Sequence, residues 1–269
     1  MLGALALREV MATKNRNLPP VILVFLMGVA NAADHAGAAM LLTDADLGGR
    51  AAISIVVALI ALIGGRIIPS FTRNWMTKQG ITRRLPAQPT RFDKSVKVTT
   101  VLGLLGWIVV PESWATGWLL VAAGCAQVLR LSRWGGLRTM RDPLLFILHI
   151  GYLWMPTGLL LLGASMLGTS VPRSAAVHAL TAGAMATMIL AVMTRVTLGH
   201  TGRELIAPPS TFSIYVLITS GAILRVAAAL GLVDSTNGIV VASSAWAGAF
   251  VLFLIFYGPM LLRPRLAND

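Results

Sequence analysis

The chain has 269 residues, of which 56% are hydrophobic and only 12% are charged. A soluble domain carries about 25% charged residues, so this chain has too few polar side chains to cover a surface that faces water. The net charge of +12 lies mostly in short segments between apolar runs, which is typical of loops that contact anionic headgroups rather than of a nucleic-acid-binding surface. The composition predicts a polytopic membrane protein that is surrounded by the lipid bilayer and has no nucleic-acid partner.

Eight apolar runs follow one another along the chain, and each is a candidate membrane-spanning helix. A helix needs about 20 residues to cross a hydrocarbon core of about 30 Å, and apolar runs of this length predict helices rather than strands. The runs lie near residues 19–42, 50–72, 96–111, 114–133, 143–163, 174–200, 212–231 and 239–262. The third run is short, and residues 111–113 join it to the fourth in a tight hairpin. We therefore predict an all-α transmembrane bundle of about eight helices that forms a single domain over residues 1–269.

The basic residues of the connecting segments are distributed unevenly between the two ends of this predicted bundle. If the N-terminus is cytoplasmic, seventeen Lys and Arg residues, Arg130 among them, belong to the cytoplasmic segments. The outer loops then hold only Arg50 and Arg173. Cytoplasmic loops of membrane proteins carry an excess of Lys and Arg. The asymmetry predicts that both termini are cytoplasmic.

All four histidines lie within or at the edge of a predicted span, where ionisable groups are costly and tend to face a cavity or a cofactor. With a rise of about 1.5 Å per residue, His35 and His178 lie near the outer side of the membrane, and His149 and His200 lie near the cytoplasmic side. Neutral imidazole is a common ligand of haem iron and of copper. Two histidines from different helices at one depth would suit haem b. In the alternative interpretation, each histidine only hydrogen-bonds to a neighbouring helix or favours a helix C-terminus.

Three arginines, Arg66, Arg195 and Arg225, lie inside predicted spans, where no deeply placed acidic residue accompanies them. A guanidinium at that depth favours a carboxylate or phosphate-like partner. Haem propionates or an anionic substrate would provide one for Arg66 and Arg195 in the cytoplasmic third. In the alternative interpretation, these side chains extend to the membrane interface.

Small residues and prolines within the runs predict close helix contacts and bends. Gly64 and Gly65 allow a neighbouring helix to approach closely. Pro69 and Pro156 are expected to kink or end their helices. A kink at Pro156 would open space next to His149, which lies two turns earlier.

Three stretches resemble the NnrS family of bacterial membrane proteins: HALTAGAMATMILAVMTRVTLGHTGR at 178–203, GGRIIPSFTRNWM at 64–76 and HIGYLWMPTGLLLLG at 149–163. The resemblance extends over nearly the whole chain. It implies a haem- and copper-containing multi-pass protein of the bacterial inner membrane, associated with nitric oxide metabolism and with resistance to nitrosative stress. The motif positions that it carries over are Arg66, His149, His178, Arg195, His200 and Arg203, with His35 as a weaker match.

The chain departs from the usual family pattern in its N-terminal part. Family members typically have about twelve helices, and the first of these include a histidine-rich motif of the WHxHEM kind that does not occur here. The resemblance therefore implies a short member, a fragment or a chain with a reassigned start that corresponds to the C-terminal two-thirds of that pattern. If the missing histidines ligate metal in the family, this chain lacks part of that site, so we expect haem b before copper.

The leading functional prediction is a haem-binding membrane protein that senses, sequesters or handles nitric oxide or an NO-derived ligand. Ferrous haem with an open axial position binds such a ligand directly. Two alternatives stay open at this point. A transporter would bind an anion at the intramembrane arginines between broken helices, and an electron-transfer or assembly subunit would act together with another membrane subunit. The sequence leaves enzymatic activity undecided.

Overall fold

The computed structural model describes residues 18–265, which form a bundle of eight helices without any β-strand. The helices are α1 Leu18–Ala38, α2 Leu47–Lys78, α3 Arg91–Val109, α4 Trp114–Ser132, α5 Pro143–Met166, α6 Arg173–His200, α7 Pro209–Ala229 and α8 Ser235–Leu262. All of these described helices except α3 are long and apolar enough to span a membrane, which makes seven candidate spans. The predicted all-α transmembrane bundle is confirmed. The single-domain organisation and the cytoplasmic termini stay predictions, and residues 1–17 and 266–269 lie outside the described residues.

Side-chain caps explain why several helices begin where they do. Both the backbone N–H and the hydroxyl of Thr90 donate to the carboxylate of Asp93, at 2.8 and 2.9 Å, in a capping box that starts α3. Asp142 accepts a hydrogen bond from the backbone of Leu145 at the start of α5. These caps satisfy backbone donors that have no partner within the helix. Because of its cap, α3 begins several residues before the apolar run at 96–111.

Helix α5 lies at the centre of the bundle, and α1 and α8 lie at its periphery. In the apolar window of α5, 61% of the residues are buried, compared with 11% in α1 and 17% in α8. Helix α5 packs against α4, α6 and the middle of α2, whereas α1 contacts chiefly α2 and α8 contacts chiefly α7. The core therefore forms around α5, and the outer faces of α1 and α8 are left for lipid.

Two helices contain a short π-helical segment, Ile60–Gly64 in α2 and Ala179–Met185 in α6. A π-helical segment inserts a residue into the helix and occurs frequently at functional sites. Both helices continue beyond the insertion. Helices α2 and α5 also continue through Pro69 and Pro156, so neither helix ends at its proline.

The loops fall at two ends of the bundle that differ in charge. At what we call the basic end, Arg138 donates to the carbonyls of Arg83 and Arg84, at 3.2 and 3.1 Å, which joins segment 79–90 to segment 133–142. At the opposite end, Arg173 pairs with Glu112 at 2.8 Å, which joins the α5–α6 loop to the α3–α4 loop. These contacts fit helices that alternate in direction. The basic end is the one that the charge asymmetry assigns to the cytoplasm.

We predict that Gly65→Ala destabilises the protein, because a Cβ at this position would lie 2.6 Å from Cζ of Arg130. Overpacking of this kind costs about 1–3 kcal/mol. The control is Gly258→Ala in α8, where nothing lies within 4 Å of the added Cβ and where alanine favours the helix by about 1 kcal/mol. Thermal unfolding in detergent, followed by circular dichroism, measures both changes. Equal changes in unfolding temperature for the two variants would contradict the close contact between Gly65 and Arg130.

Candidate functional site

The charge of Arg130 is buried inside the bundle, since the residue is only 3% exposed. Its Nε donates to Asp93 at 3.1 Å, and its Nη1 donates to the carbonyl of Ala61 at 3.1 Å and to the hydroxyl of Tyr152 at 3.0 Å. Its Nη2 donates to the carbonyl of Gly65 at 3.1 Å. Each guanidinium nitrogen therefore has a partner, as a buried charge requires. The two carbonyls flank the end of the π-helical segment of α2.

Hydrogen bonds extend from this guanidinium across the bundle. Tyr152 donates to the side-chain carbonyl of Gln127 at 2.8 Å, and the amide of Gln127 donates to the hydroxyl of Thr100 at 2.9 Å. The ring of Trp134 packs edge-on against Tyr152, with centroids 4.7 Å apart, and lies 5.4 Å from Cζ of Arg130. A fully satisfied buried network of this kind holds its helices in one arrangement.

The sequence prediction missed this network, because it counted Arg130 with the cytoplasmic charges, although the run at 114–133 includes it. In the structure, Arg130 lies in the last turn of α4, and the first turn of α3, which the apolar run at 96–111 did not include, brings Asp93 into contact with it. A signal was present in the spacing. Gln127 and Arg130 are three residues apart, which places both on one face of a helix.

His149 is buried in α5 with an exposed fraction of 5%. Its Nε2 lies 2.9 Å from the hydroxyl oxygen of Thr72 in α2, and that hydroxyl donates its proton to the carbonyl of Ile68 at 2.9 Å. When the hydroxyl proton goes to Ile68, Thr72 accepts a hydrogen bond from Nε2–H of the imidazole. In the neutral ring this leaves Nδ1 with a free lone pair, and Nδ1 has no hydrogen-bond partner among residues 18–265.

The backbone of Gly136 lies directly beside this nitrogen. A Cβ added to Gly136 would be 2.7 Å from Nδ1 of His149, so no other residue fits there without a shift. The preceding residue, Gly135, has the left-handed φ of 70°, which glycine adopts without strain. Two glycines thus allow the 3₁₀ segment Gly136–Thr139 to follow α4 closely enough to reach the imidazole.

A cavity of about 730 Å³ lies at the basic end, and both His149 and Gly136 contribute to its wall. Its volume is in the range of about 300–1,000 Å³ that is usual for ligand sites. Leu131, Leu137, Phe146, Ile150 and Leu153 supply apolar wall, and Arg84, Arg133 and Arg138 supply positive charge. Pro156 is not part of this lining, so the space beside His149 comes from the loop after α4. Such a cavity can hold an apolar molecule with anionic groups at one end.

The other three histidines do not reach this cavity. His178 is half-buried and lines a second cavity of about 360 Å³ together with Arg225 of α7. His35 in α1 is exposed and is not part of that second lining, and His200 at the end of α6 is also exposed. The depths that the sequence assigned to His149 and His178 agree with their positions near opposite ends. Of the four histidines, His149 lines the cavity at the basic end and His178 lines the second cavity.

The remaining predicted site residues lie in three different surroundings. Arg66 is exposed on α2, and the guanidinium of half-buried Arg203 donates to the carbonyl of Thr201 at 3.5 Å. The guanidinium carbon of Arg195 lies 4.6 Å from the ring centroid of Phe71, which is cation–π distance. These arginines therefore do not converge on one point.

Asp142, the residue that caps α5, interacts electrostatically with Arg195. Burial raises the pKa of this carboxyl above its usual value, and the positive charge of Arg195 acts in the opposite direction. The sequence analysis expected a cofactor or substrate anion as the partner of Arg195. In the structure, an aromatic ring and a nearby carboxyl group lie beside Arg195, and its Nη1 is buried without a hydrogen-bond partner among residues 18–265. The expected anion stays a prediction.

Within residues 18–265, no three His, Cys, Asp or Glu side chains are close enough together to hold a metal ion. Methionine thioethers, which also bind Cu(I), are not among these side chains, and copper binding stays a prediction. A metal that brings its own ring of donors needs only one or two protein ligands. The single unpartnered nitrogen of His149 is suited to this second kind of metal centre.

A family model described as NnrS protein matches residues 1–265 of the chain. No curated protein and no solved structure matches the chain. The family match covers nearly the full length and confirms the resemblance that the three sequence stretches indicated.

We predict that Asp93→Asn strongly destabilises the bundle, because it removes the only carboxylate that pairs with Arg130 among the described residues. Breaking a buried ion pair costs about 3–5 kcal/mol. Thermal unfolding in detergent measures the effect, with Glu112→Gln as the control. Glu112 is exposed where it pairs with Arg173, and such surface pairs contribute about 0–1 kcal/mol. The prediction fails if both variants unfold at the same temperature.

Proposed function

The chain belongs to the NnrS family, and from this membership we propose that it is a haem-binding membrane protein that takes part in the handling of nitric oxide. The observation that carries the proposal is the unpartnered Nδ1 of His149 beside the large cavity at the basic end. We further propose that the protein lies in the bacterial inner membrane with this end towards the cytoplasm, in line with the distribution of its basic residues.

The residues around His149 fit a haem in three respects. Imidazole nitrogen is a usual axial ligand of haem iron, and Nδ1 is the atom that has no other partner in the described chain. The apolar side chains of the cavity match the porphyrin ring. Arg84, Arg133 and Arg138 lie at the same cavity, and guanidinium groups bind carboxylates such as the propionates through charge-assisted hydrogen bonds.

Thr72 has the role of a positioning residue in this proposal. Its hydroxyl accepts a hydrogen bond from Nε2–H of His149 and is itself held by the carbonyl of Ile68. A hydrogen bond to one imidazole nitrogen fixes the tautomer and the ring orientation, and thereby keeps the other nitrogen free to ligate. The edge-on ring of Trp134, with its centroid 6.5 Å from that of His149, supports the imidazole from another side.

A bound haem would supply a ferrous iron that binds nitric oxide directly. The chain's own residues would hold the imidazole, neutralise the propionates and keep bulk water from the ring. Phe146 and Ile150 are half-buried cavity residues suited to exclude water. The proposal does not depend on His35 or His200, since both are exposed.

The transporter alternative receives less support from the geometry. An anion pathway would need the intramembrane arginines to share a site. In the structure, Arg66 is exposed, Arg195 lies over Phe71, and Arg225 lines a separate cavity. The idea of a subunit in a larger complex, acting with another membrane subunit, stays a prediction.

We expect His149→Ala to lose most of the Soret absorbance of the purified, detergent-solubilised protein, because the variant lacks the ligating nitrogen. In the unaltered protein, nitric oxide added after reduction should shift the Soret maximum. Exposed His200→Gln is the matched control and should keep both the absorbance and the shift. Absorption spectra at equal protein concentration measure these outcomes. A full Soret band in His149→Ala would refute ligation by this residue, and a colourless unaltered protein after haem addition would refute the proposal itself.

We expect Thr72→Val to weaken haem binding by about 10–100-fold, the range typical of residues that orient a metal ligand. Valine has nearly the shape of threonine but cannot accept the hydrogen bond from Nε2–H. Thr72→Ser keeps the hydroxyl and should bind haem nearly as well as the unaltered protein. Titration of the haem-free variants with haem, followed by absorbance, gives the affinities. If valine and serine behave alike, the hydroxyl does not position His149.

A further inference from the structure

The second cavity, of about 360 Å³, is formed by α6, α7 and α8 near the opposite end of the bundle. Arg225 lies four residues before the end of α7, and His178 lies five residues after the start of α6. At about 1.5 Å per residue, both are roughly 6–8 Å from the helix ends. The cavity thus lies where the headgroup region meets the hydrocarbon core, apart from the cavity of His149.

The positive charge of Arg225 is not balanced by any described part of the chain. Arg225 is half-buried, and it belongs to none of the ion pairs or side-chain hydrogen bonds among residues 18–265. Three acidic residues at this end are engaged elsewhere: Asp44 binds Arg50, Glu112 binds Arg173, and Asp234 caps α8. Asp34 of α1 and Asp46 before α2 do not line this cavity. A guanidinium stays charged at every physiological pH, so at this depth it favours an anion.

The rest of the lining consists of hydrogen-bonding groups and small residues. His178, Ser243 and Trp246 carry an imidazole, a hydroxyl and an indole N–H, and Ala182 and Gly221 leave space between them. Helices α7 and α8 approach closely here, since a Cβ at Gly221 would lie 3.0 Å from the carbonyl oxygen of Ala242. The combination of one fixed charge with several donors suits the oxygens of a phosphate group.

The cavity opens sideways towards the bilayer. Ser243 and Trp246 line it and are also exposed on the outer face of α8. Tryptophan is enriched where proteins meet the membrane interface. A ligand can therefore enter from the headgroup layer without passing through the helix bundle.

We propose that this cavity is a phosphate-binding site in which Arg225, together with His178, binds the phosphate group of an anionic phospholipid or a free phosphate ion. The sideways opening favours the lipid. The site is separate from the proposed haem site, so either can fail without affecting the other.

Native mass spectrometry of the purified protein tests the lipid source by counting retained phosphatidylglycerol molecules, with phosphatidylcholine as the comparison lipid. Titration with inorganic phosphate, followed by tryptophan fluorescence, tests the free ion. Arg225→Gln keeps a long polar side chain but removes the charge, and we expect affinity to fall at least about tenfold. The matched control is Arg173→Gln, which lies at the same end, is exposed and pairs with Glu112. It should bind within about twofold of the unaltered protein.

Two further variants separate loss of binding from loss of folding. Arg225→Lys keeps a positive charge and should retain more binding than glutamine. Ala182→Leu fills the cavity while leaving Arg225 in place, and should weaken binding as Arg225→Gln does. Circular dichroism confirms the helical content of each variant. If Arg225→Gln loses binding in the lipid assay alone, the ligand is a phospholipid headgroup. If it loses binding in the phosphate assay, the ligand is a free phosphate ion. Unchanged binding in well-folded Arg225→Gln and Ala182→Leu, or no binding in either assay, would overturn the proposal.

Discussion

One permanent positive charge, the guanidinium of Arg130, is enclosed in an apolar helix bundle, and the arrangement of four helices follows from how this charge is satisfied. It contacts Asp93 of α3, Tyr152 of α5, and two carbonyls of α2. A buried donor without a partner is costly, so these helices are stable together only in the arrangement that provides every partner. The glycine at position 65 and the π-helical segment before it belong to the same requirement, because they give the guanidinium room and acceptors.

The candidate haem site is built on this rigid part of the molecule. Tyr152 bonds to Arg130 and packs on Trp134, and Trp134 in turn lies against His149. The other side of the imidazole is held by Thr72 of α2. The helices that enclose the charge therefore also set the position of the unpartnered nitrogen. Peripheral helices α1 and α8 contribute nothing to this cavity.

The sequence predicted the fold class well because apolar length and loop charge depend only on neighbouring residues. It also singled out the four histidines as candidates, His149 and His178 among them, since an ionisable side chain in an apolar run is conspicuous without any knowledge of its neighbours. The partners of these residues were not predictable in the same way. Thr72 and His149 are 77 positions apart, and depth along a helix says nothing about the direction in which a side chain points.

Two specific errors show the same limit. Arg130 was counted with the cytoplasmic charges, although the run at 114–133 includes it, and its partner Asp93 lies in a helix start that the apolar run at 96–111 does not include. The space beside His149 was expected from Pro156, whereas it comes from a left-handed glycine and the 3₁₀ turn that follows it. A single sequence shows the glycine pair at 135–136, but not which distant side chain its backbone touches.

The two π-helical insertions, in α2 and in α6, have an effect on helix faces that reaches beyond their own few residues. One extra residue rotates everything that follows by about 100° around the helix axis. The stretch before the insertion and the stretch after it can then present independent sides to their neighbours. In α6 this lets His178 line the cavity shared with α7 and α8, while Arg195, further along the same helix, lies over Phe71 of α2. A single helix can thus participate in two separate compartments of the protein without a break in its course.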